Sequence, residues 1–320
     1  MVWSRWACWS RCKPGQVFNR IHVEDPADAH LYEPTVDYVG LLSRAGAQAA
    51  GYVALFDTIA RDRRGWRRLR ISATADAAEI CDVVPPPLQA YSIECRHSYL
   101  VDLAGLRRSG TTYLSSRSRS MRAALNQTRR GYEAFGTLHV DIAPDPATGR
   151  AWLDDLRGLH QAHWTAKGRA GAFASAYFCR FHEALMDAGI RSGLVQMVRV
   201  STGPLLIGYL YNLAWHNRLY YYNSGLCYGL LPRNDRPGLM AHLCAIEHAL
   251  AAGWDSYDFL AGEQDYKRRL GTSARTLHWV DVRPGGRGPR LERLAFAVAG
   301  RRFGIPLAQA LDVIAPIVGL

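Results

Sequence analysis

The chain lacks the cysteine pattern of a disulfide-stapled or zinc-binding protein. Its seven cysteines are an odd number, scattered over 320 residues without a Cys-x-x-Cys pair. Scattered, unpaired cysteines are typical of a reducing compartment. Cys8 and Cys12 have no second ligand pair at zinc-finger spacing, so we expect no metal site.

Long apolar runs are lacking as well. The longest uncharged stretch, residues 200–217, contains Pro204, Asn212 and His216 and alternates like strands around a turn, which argues against a membrane span. The Trp-rich start is interrupted by Arg5 and so lacks the apolar core of a signal peptide. These absences predict a cytoplasmic protein with no transmembrane segment.

Acidic residues are outnumbered. The chain has 39 Lys and Arg against 28 Asp and Glu, a formal net charge of +11. This excess favours an anionic partner, and nucleic acid, a membrane surface and a phosphorylated ligand all qualify. Hydrophobic residues at 48% and charged residues at 21% are ordinary for a folded chain and exclude a disordered or collagen-like one.

Alternation and helical spacing predict a definite order of elements in the C-terminal half. The predicted elements are a strand at 137–142, helices beginning near 152 and 175, a three-stranded meander at 194–200, 205–215 and 218–224, a helix from 237 that stops at Gly253, a strand at 256–260, a short helix to 270 and a strand at 276–282.

A weak internal repeat indicates two related lobes. Residues 37–42 read as a strand, 48–62 as a helix and 65–70 as a strand, an order that returns in the strand, helix and strand from residue 219 onward. The first lobe looks incomplete, because only about 35 residues precede Asp37, too few for a helix pair and a meander. Either the native start lies upstream or a second chain completes the lobe.

We therefore divide the chain into four parts. They are an irregular Trp-rich segment (1–30), a partial first lobe with an inter-lobe helix (31–130), a complete second lobe (131–285) and a helical tail (286–320). By default the tail docks on the body, and the alternatives are pairing with another subunit in a homodimer or resting on a membrane surface.

Three segments resemble the CelD-type (cellulose-biosynthesis protein) acetyltransferases of the GNAT acyltransferase superfamily. They are YYYNSG at 220–225, RPG at 236–238 and YDFLAGEQDYK at 257–267, and the segments HWTAKG at 163–168 and SYLVDL at 98–103 are also similar to that family. FemAB-type aminoacyltransferases, which take the acyl group from aminoacyl-tRNA, share the tandem arrangement. The resemblance implies an α/β (α+β) tandem GNAT-like fold, in which a mixed, mostly antiparallel sheet is flanked by helices.

The resemblance also implies acetyl-CoA or another acyl-CoA as co-substrate, with no metal. Its pantetheine arm would lie between two splayed strands and its pyrophosphate at the start of the following helix. The residues implied in donor binding are Asn223, Ser224, Arg233, Arg236 and Gly238. The phosphate loop is degenerate, since residues 233–238 hold a single glycine and the acidic Asp235, and the alternative is a plain helix start with solvated arginines.

Four residues are candidates for catalysis. Asp258 would orient or deprotonate the acceptor, or instead cap the turn at Gly262 or pair with an arginine. Glu263 and Lys267 stand four apart, so they either form a surface ion pair or, through Lys267, bind an anionic acceptor or the donor. Tyr222, or Ser224, would protonate the leaving thiolate, although a strand tyrosine is more often packing.

The acceptor side is implied to lie at the end of the first helix of the second lobe, at His163, Trp164 and Lys167. A second anionic-partner candidate is the arginine-rich stretch at 115–130, which either holds RNA phosphate or is a solvated helix face.

We therefore expect an N-acyltransferase that moves an acyl group from acyl-CoA to an amine or hydroxyl of a small-molecule, sugar or cell-envelope precursor. The alternatives are an aminoacyl-tRNA-dependent FemAB-like transferase, the case in which nucleic acid is a partner, and a non-catalytic binding subunit.

Overall fold

The computed structural model of the chain describes residues 7–11, 19–23, 37–61 and 66–284. In chain order the elements are β1 (Ala7–Arg11), β2 (Asn19–Val23), α1 (Gln48–Ala60), β3 (Trp66–Thr74), α2 (Ala77–Val83), β4 (Leu88–Asp102), α3 (Leu103–Arg108), α4 (Arg119–Glu133), β5 (Leu138–Ile142), α5 (Pro146–Ala166), a 3₁₀ helix (Ala172–Ala174), α6 (Ala176–Arg191), β6 (Val195–Thr202), β7 (Leu205–Trp215), β8 (Arg218–Leu226), α7 (Pro237–Ala251), β9 (Ser256–Ala261), α8 (Asp265–Leu270) and β10 (Ser273–Pro284).

The chain divides into two compact units. The first consists of Met1–His97 and Thr276–Leu320, and the second of Ser98–Arg275. The dividing points differ from the expected boundary at residue 130/131, since α3 and α4 lie in the second unit. The predicted C-terminal tail lies outside the described residues, and none of the helices among the described residues is long and apolar enough to cross a membrane.

The second unit is a sheet with helices on both faces. Its strands lie in the order β4-β9-β8-β7-β6-β5, and all neighbours are antiparallel except the parallel pair β8 and β9. Because side chains alternate along a strand, Leu210 packs with α4 and α7 in one core, whereas Tyr209 and Tyr211 pack with α5 and α6 in the other. The mixed, mostly antiparallel sheet flanked by helices is confirmed.

Local signals at the helix starts explain why the second half was predictable. Asp145 caps α5 by accepting from the amides of Ala147 and Thr148, and Pro146 takes the first helical position. Ser175 caps α6 in the same way through the amide of Phe178. Every element predicted between residues 137 and 282 is present, with bounds shifted by a few residues.

The parallel pair β8 and β9 is short. It joins only Arg218 with Ser256, Leu219 with Tyr257 and Tyr220 with Asp258. Beyond these pairs β8 continues along β7 and β9 along β4. The sheet therefore opens between the two strands, and α7, which connects them, begins beside the opening.

The first unit contains a similar strand–helix–strand motif, but its first strand is not the predicted one. Residues 37–42 form no regular element, because Tyr38 has a φ of +60°, which breaks an extended run, and the Leu42 side chain is fully exposed. The strand that pairs in parallel with β3 across α1 is β2. The segment 1–30, expected to be irregular, therefore contains β1 and β2.

Each unit is completed by a strand that follows the other unit's motif. The C-terminal part of β4 (residues 98–102), which comes after β2, α1 and β3, pairs with β9 inside the second unit. Strand β10, which comes after β8, α7 and β9, pairs with β3 inside the first unit. This exchange of strands explains why a boundary drawn between two consecutive lobes does not match the compact units.

Candidate active site

A cleft of about 300 Å³ opens in the second unit where the ladder between β8 and β9 ends. Its walls come from α5, β8 and the loop after it, the first turn of α7, and α8. The lining residues are Leu159, His160, His163, Trp164, Tyr221, Asn223, Ser224, Leu226, Tyr228, Gly238, Leu239, His242 and Tyr266. Five of the sequence-predicted site residues are in this set: Asn223, Ser224, Gly238, His163 and Trp164.

One wall is the first turn of α7. The helix begins at Pro237, and its N-cap residue Arg236 makes no side-chain capping bond. The amides of Gly238 and Leu239 have no acceptor within the helix, because first-turn amides never do. A Cβ on Gly238 would lie 3.3 Å from the side chain of Leu226, so glycine keeps this wall close to β8. Together with the helix dipole, these amides favour an anionic group.

The loop before α7 is held by Asp235. Its carboxylate accepts from the hydroxyl of Tyr132 at 2.7 Å and from the amide of Gly229. The acidic residue of the degenerate phosphate loop is therefore an internal anchor of the loop. Arg233 and Arg236 have exposed side chains and are not among the lining residues.

A chain of hydroxyl groups lies inside the cleft. The Tyr221 hydroxyl is 2.8 Å from Ser224 Oγ and also shares a hydrogen bond with Tyr266. Burial raises the pKa of Tyr221 and of Tyr266 above the ordinary tyrosine value. Both phenols therefore stay protonated and can act as proton donors.

His242 packs among these rings. It is 3% exposed, its ring stacks on Tyr266 and meets the Tyr221 ring edge-on, and its Nδ1 lies 3.1 Å from the Tyr257 hydroxyl. Burial lowers the pKa of His242 to about 3. The imidazole is therefore neutral at physiological pH and contributes shape and hydrogen bonding.

The opposite wall carries aromatic rings and positive charge. The His163 ring stacks on Tyr228 with centroids 4.6 Å apart and an interplanar angle of 14°. Lys167 and Arg169 both lie over the Trp164 ring, at 5.6 and 5.4 Å from its centroid. Lys167 is exposed and stands beside the lining residues. A ring or sugar face with an attached anion suits this wall.

The structure places the four predicted catalytic residues outside the lining set. Asp258 is 2% exposed and accepts from Ser98 Oγ and from the amide of Leu260, both at 2.7 Å. Leu260 has a φ of +61°, so this carboxylate stabilises a bend at the end of β9. These contacts favour the structural alternative for Asp258.

The other three predicted catalytic residues also contact groups within the protein. Lys267 Nζ donates to the carbonyl oxygens of Leu260 and Ala261 at 3.2 and 2.9 Å, which fixes the turn between β9 and α8. Glu263 accepts from the Tyr99 hydroxyl at 3.3 Å. Tyr222 faces away from the cleft and packs on the rings of Phe178, His182 and Tyr211.

The arginine-rich stretch is largely engaged within the protein. Arg117 donates to the carbonyl oxygens of Leu270 and Gly271, Arg122 to those of Ser115 and Arg117, and Arg129 pairs with Glu247. The stretch is therefore built into the fold more than a plain solvated face would be, and these three guanidinium groups have protein acceptors.

Five lining residues with aromatic or imidazole rings were not predicted from the sequence: His160, Tyr221, Tyr228, His242 and Tyr266. Alternation along β8 was a usable signal for Tyr221, because Tyr222 and Tyr221 must face opposite sides. The histidines gave no such signal, since a histidine on a helix is usually a satisfied core residue. Tyr266 and His242 meet only through the tertiary fold.

Residues 119–268 match the family described as an acetyltransferase (GNAT) domain. No curated protein matches the chain. Among solved structures, FemX is similar with a TM-score of 0.57 and 10% identity, covering 90% of this chain and 85% of that chain.

Two further structures are similar over most of the chain. The C-terminal domain of a protein assigned as a lysylphosphatidylglycerol synthetase from Agrobacterium fabrum has a TM-score of 0.54 and 12% identity, covering 92% of this chain and 85% of that chain. L-PGS from Bacillus licheniformis has a TM-score of 0.52 and 13% identity, covering 92% and 86%. At these identities the likeness shows the fold, which is GNAT-like and shared with FemX. It does not single out the CelD branch.

Proposed function

We propose that the chain is an acyltransferase that moves an acyl group from acyl-CoA to an amine or hydroxyl of a small-molecule, sugar or cell-envelope acceptor. The observation that carries this proposal is the cleft at the end of the β8–β9 ladder, with uncapped amides of α7 on one wall and an aromatic, cationic rim on the other. The GNAT domain match across this region supports the reaction class.

The donor would enter along β8. Asn223 and Ser224 line the path of the pantetheine arm, and the amides of Gly238 and Leu239 face the pyrophosphate. Arg233 and Arg236 add positive charge at the exposed end of this wall. The thioester carbonyl then lies near the Tyr221 and Ser224 hydroxyls, which protonate the departing thiolate.

The acceptor would enter from the side of α5. His163, Trp164 and Tyr228 offer flat ring faces, and Lys167 and Arg169 attract an anionic group. Transfer is direct from the thioester to the acceptor, so no acyl-enzyme nucleophile is needed. Asp258 and Lys267 support the reaction indirectly, by fixing the bend and the turn at the end of β9.

A second candidate donor is aminoacyl-tRNA. The observation that favours it is the likeness to FemX, which extends over both units and not only over the GNAT domain match. The resemblance to FemAB-type aminoacyltransferases implies this donor. Under this alternative the acyl group and its ribose would occupy the same cleft.

The first test is calorimetric titration with acetyl-CoA, longer acyl-CoAs and free CoA. We expect saturable binding that is weakened about tenfold by Arg236→Glu, since a charge reversal beside the helix N-terminus costs roughly 1–2 kcal/mol for an anion. Arg180→Glu is the matched control, because Arg180 is exposed on α6 and its substitution changes the net charge by the same amount.

The outcomes separate the donors. Binding that the two variants weaken equally reflects only net charge and contradicts the α7 site. No binding of any CoA species by the folded protein rejects the acyl-CoA donor. Titration with an aminoacyl-tRNA then distinguishes the second candidate from a non-catalytic subunit.

A further inference from the structure

We propose that His160 is the general base that removes the proton from the acceptor, and that Gln161 is the positioning residue that holds its imidazole in the required tautomer. The inference rests on the proposed acyl transfer but not on the choice of donor. It assigns to α5 a role that the sequence analysis had given to Asp258 on β9.

The geometry begins with Gln161, whose amide orientation is fixed by the backbone. Its Nε2 donates to the carbonyl oxygen of Ala170 at 2.7 Å, and its Oε1 accepts from the amide of Phe173 at 3.2 Å. A carbonyl oxygen and an amide N–H allow only one placement of the two side-chain atoms. Gln161 Oε1 is therefore an acceptor, and a flip of the amide would break both bonds.

This orientation determines the tautomer of His160. Its Nδ1 lies 3.3 Å from Gln161 Oε1, which has no proton to give. Nδ1 must therefore carry the hydrogen, so the lone pair of the neutral ring is on Nε2. Phe173 meets the ring edge-on at 5.2 Å and Trp164 packs at 5.9 Å, which restricts its rotation.

The cleft has few other bases to offer. Among the thirteen described residues that line it there is no aspartate or glutamate. His242 is committed to Tyr257 in the buried interior, and His163, which stacks on Tyr228, has no side-chain hydrogen bond within the described part of the chain that would fix its tautomer. Burial lowers the pKa of His160 below the ordinary histidine value; the hydrogen bond with Gln161 opposes this shift, and the charge of His163 adds to it. The ring is therefore unprotonated at neutral pH and ready to accept a proton.

The proposed step balances as follows for a neutral primary amine. Its nitrogen attacks the thioester carbonyl carbon, a C–N bond forms, and one N–H proton passes to Nε2 of His160. The C–S bond then breaks, its electron pair leaves with sulfur, and the thiolate takes a proton from the Tyr221–Ser224 pair. Water accepts the proton of the imidazolium and restores the hydroxyl pair, leaving an amide and a free thiol.

The structural half of the inference is tested without any substrate. Long-range ¹H–¹⁵N spectra of the ¹⁵N-labelled full chain report the protonation of each imidazole nitrogen, and His160→Asn, or His160→Gln if the first variant does not fold, assigns the signals. We expect Nδ1 protonated and Nε2 unprotonated at pH 7, and a mixture of tautomers in Gln161→Leu. A protonated Nε2 in the wild-type protein overturns the inference.

The catalytic half uses release of CoA from acetyl-CoA with two probe acceptors, ethanolamine and hydroxylamine. A general base contributes about 10²–10⁴-fold. We therefore expect His160→Asn to lower kcat with ethanolamine at least 100-fold while the Kd for acetyl-CoA is unchanged. A loss of the same order is expected with hydroxylamine, because its neutral nitrogen must also give up an N–H proton as it attacks.

His139→Asn is the control, since His139 is exposed on β5 away from the cleft. An unchanged ethanolamine rate in His160→Asn contradicts the base assignment and leaves the proposed function standing. Failure of acetyl-CoA to bind contradicts that donor, while the tautomer measured by NMR still decides whether His160 is poised as a base.

Discussion

His182 is a buried titratable side chain that makes the unfolding free energy of this protein depend on pH. It is 1% exposed on α6, surrounded by the rings of Phe178, Tyr211 and Tyr222, and its Nδ1 lies 3.1 Å from the Tyr211 hydroxyl. Its Nε2 has no hydrogen-bond partner within the described part of the chain. Burial lowers the pKa of His182 to about 4. Folding therefore excludes a proton that the unfolded chain binds below its ordinary pKa of 6.5.

The sign of the pH dependence follows. Stability from the neutral imidazole is fully present above pH 6.5 and is lost as the pH falls toward the folded value. We expect His182→Phe to remove about one proton from this linkage, which flattens the slope of unfolding free energy by about 1.4 kcal/mol per pH unit between pH 6 and pH 4. Urea unfolding at a series of pH values measures the slope.

His139→Phe is the control for that series, because an exposed histidine should leave the slope unaltered. A residual slope in His182→Phe is expected from His242, whose pKa is also lowered by burial. Parallel curves for the wild type and His182→Phe would falsify the assignment.

Substitutions at Asp258 distinguish a structural role of its carboxylate from a catalytic one. Asp258→Ala leaves the Ser98 hydroxyl and the Leu260 amide without their acceptor, and each buried group left unpaired costs about 1–3 kcal/mol. Asp258→Asn keeps an acceptor oxygen at that position and should lose much less unfolding free energy and little activity. Urea unfolding and CoA release are measured on both variants.

Asp141→Ala is the matched surface control, since Asp141 forms an exposed pair with Arg199 and should change stability by less than about 0.5 kcal/mol. If Asp258→Asn abolishes turnover while its unfolding free energy stays close to that of the wild type, the carboxylate is chemically required and the structural interpretation is wrong.

Among single residues, those in the family-like motifs beside the cleft could be predicted from the sequence, whereas the buried rings at its base could not. Asn223, Ser224 and Gly238 belong to motifs with a family resemblance, so their positions beside the cleft were predictable. His242 on α7 and Tyr266 on α8 meet through a stacking contact of the tertiary fold, which no local spacing encodes. The tautomer of His160 depends on a loop nine residues beyond Gln161, and such dependence is invisible in a pattern.

Contact between α5 and β8 sets the width of the cleft. A Cβ on Gly225 would lie 2.5 Å from the carbonyl oxygen of Leu156 and 2.7 Å from its Cα, so helix and strand touch through backbone atoms. Helix α5 also carries His160, His163 and Trp164. Any group inserted at Gly225 therefore moves one wall of the site.

We expect Gly225→Ala to lower the unfolding free energy by about 1–3 kcal/mol, the usual cost of overpacking a filled interior. Gly158→Ala is the control on the same helix. It has open space around the added methyl group and should stabilise the helix by about 0.5–1 kcal/mol. Urea unfolding measures both, and equal effects of the two substitutions contradict the close approach of α5 to β8.

The elements were predictable where local signals agree with the tertiary fold. Capped helices and alternating strands from residue 137 onward fall where the sequence places them. The strand predicted at 37–42 does not form. Strand β2 takes the place beside β3 that this strand was expected to occupy, and a positive φ at Tyr38 breaks the extended run. Pairing between distant segments is a property of the sheet, which a window of six residues does not contain.

The net charge of +11 predicts that the whole molecule binds RNA without preference for its structure. Three of the five arginines in the stretch at 115–130, Arg117, Arg122 and Arg129, already have protein acceptors, so this stretch is not built as an RNA-binding face. We expect tRNA and an unstructured RNA of the same length to bind with the same affinity. Binding of both RNAs should be lost over the same range, between about 50 and 200 mM salt. Fluorescence anisotropy over this range measures both ligands, and a persistent preference for tRNA supports the aminoacyl-tRNA donor instead.

The exchange of β4 and β10 has a consequence for how the chain is made. Asp281 on β10 meets Arg70 on β3 across 211 positions of sequence. At about 5–20 residues per second, a ribosome needs roughly 10–40 s to deliver that partner. The second unit has all its strands before then, whereas one edge of β3 waits unpaired and open to wrong pairing. Strand β3, which is synthesised before the second unit, is thus completed after it.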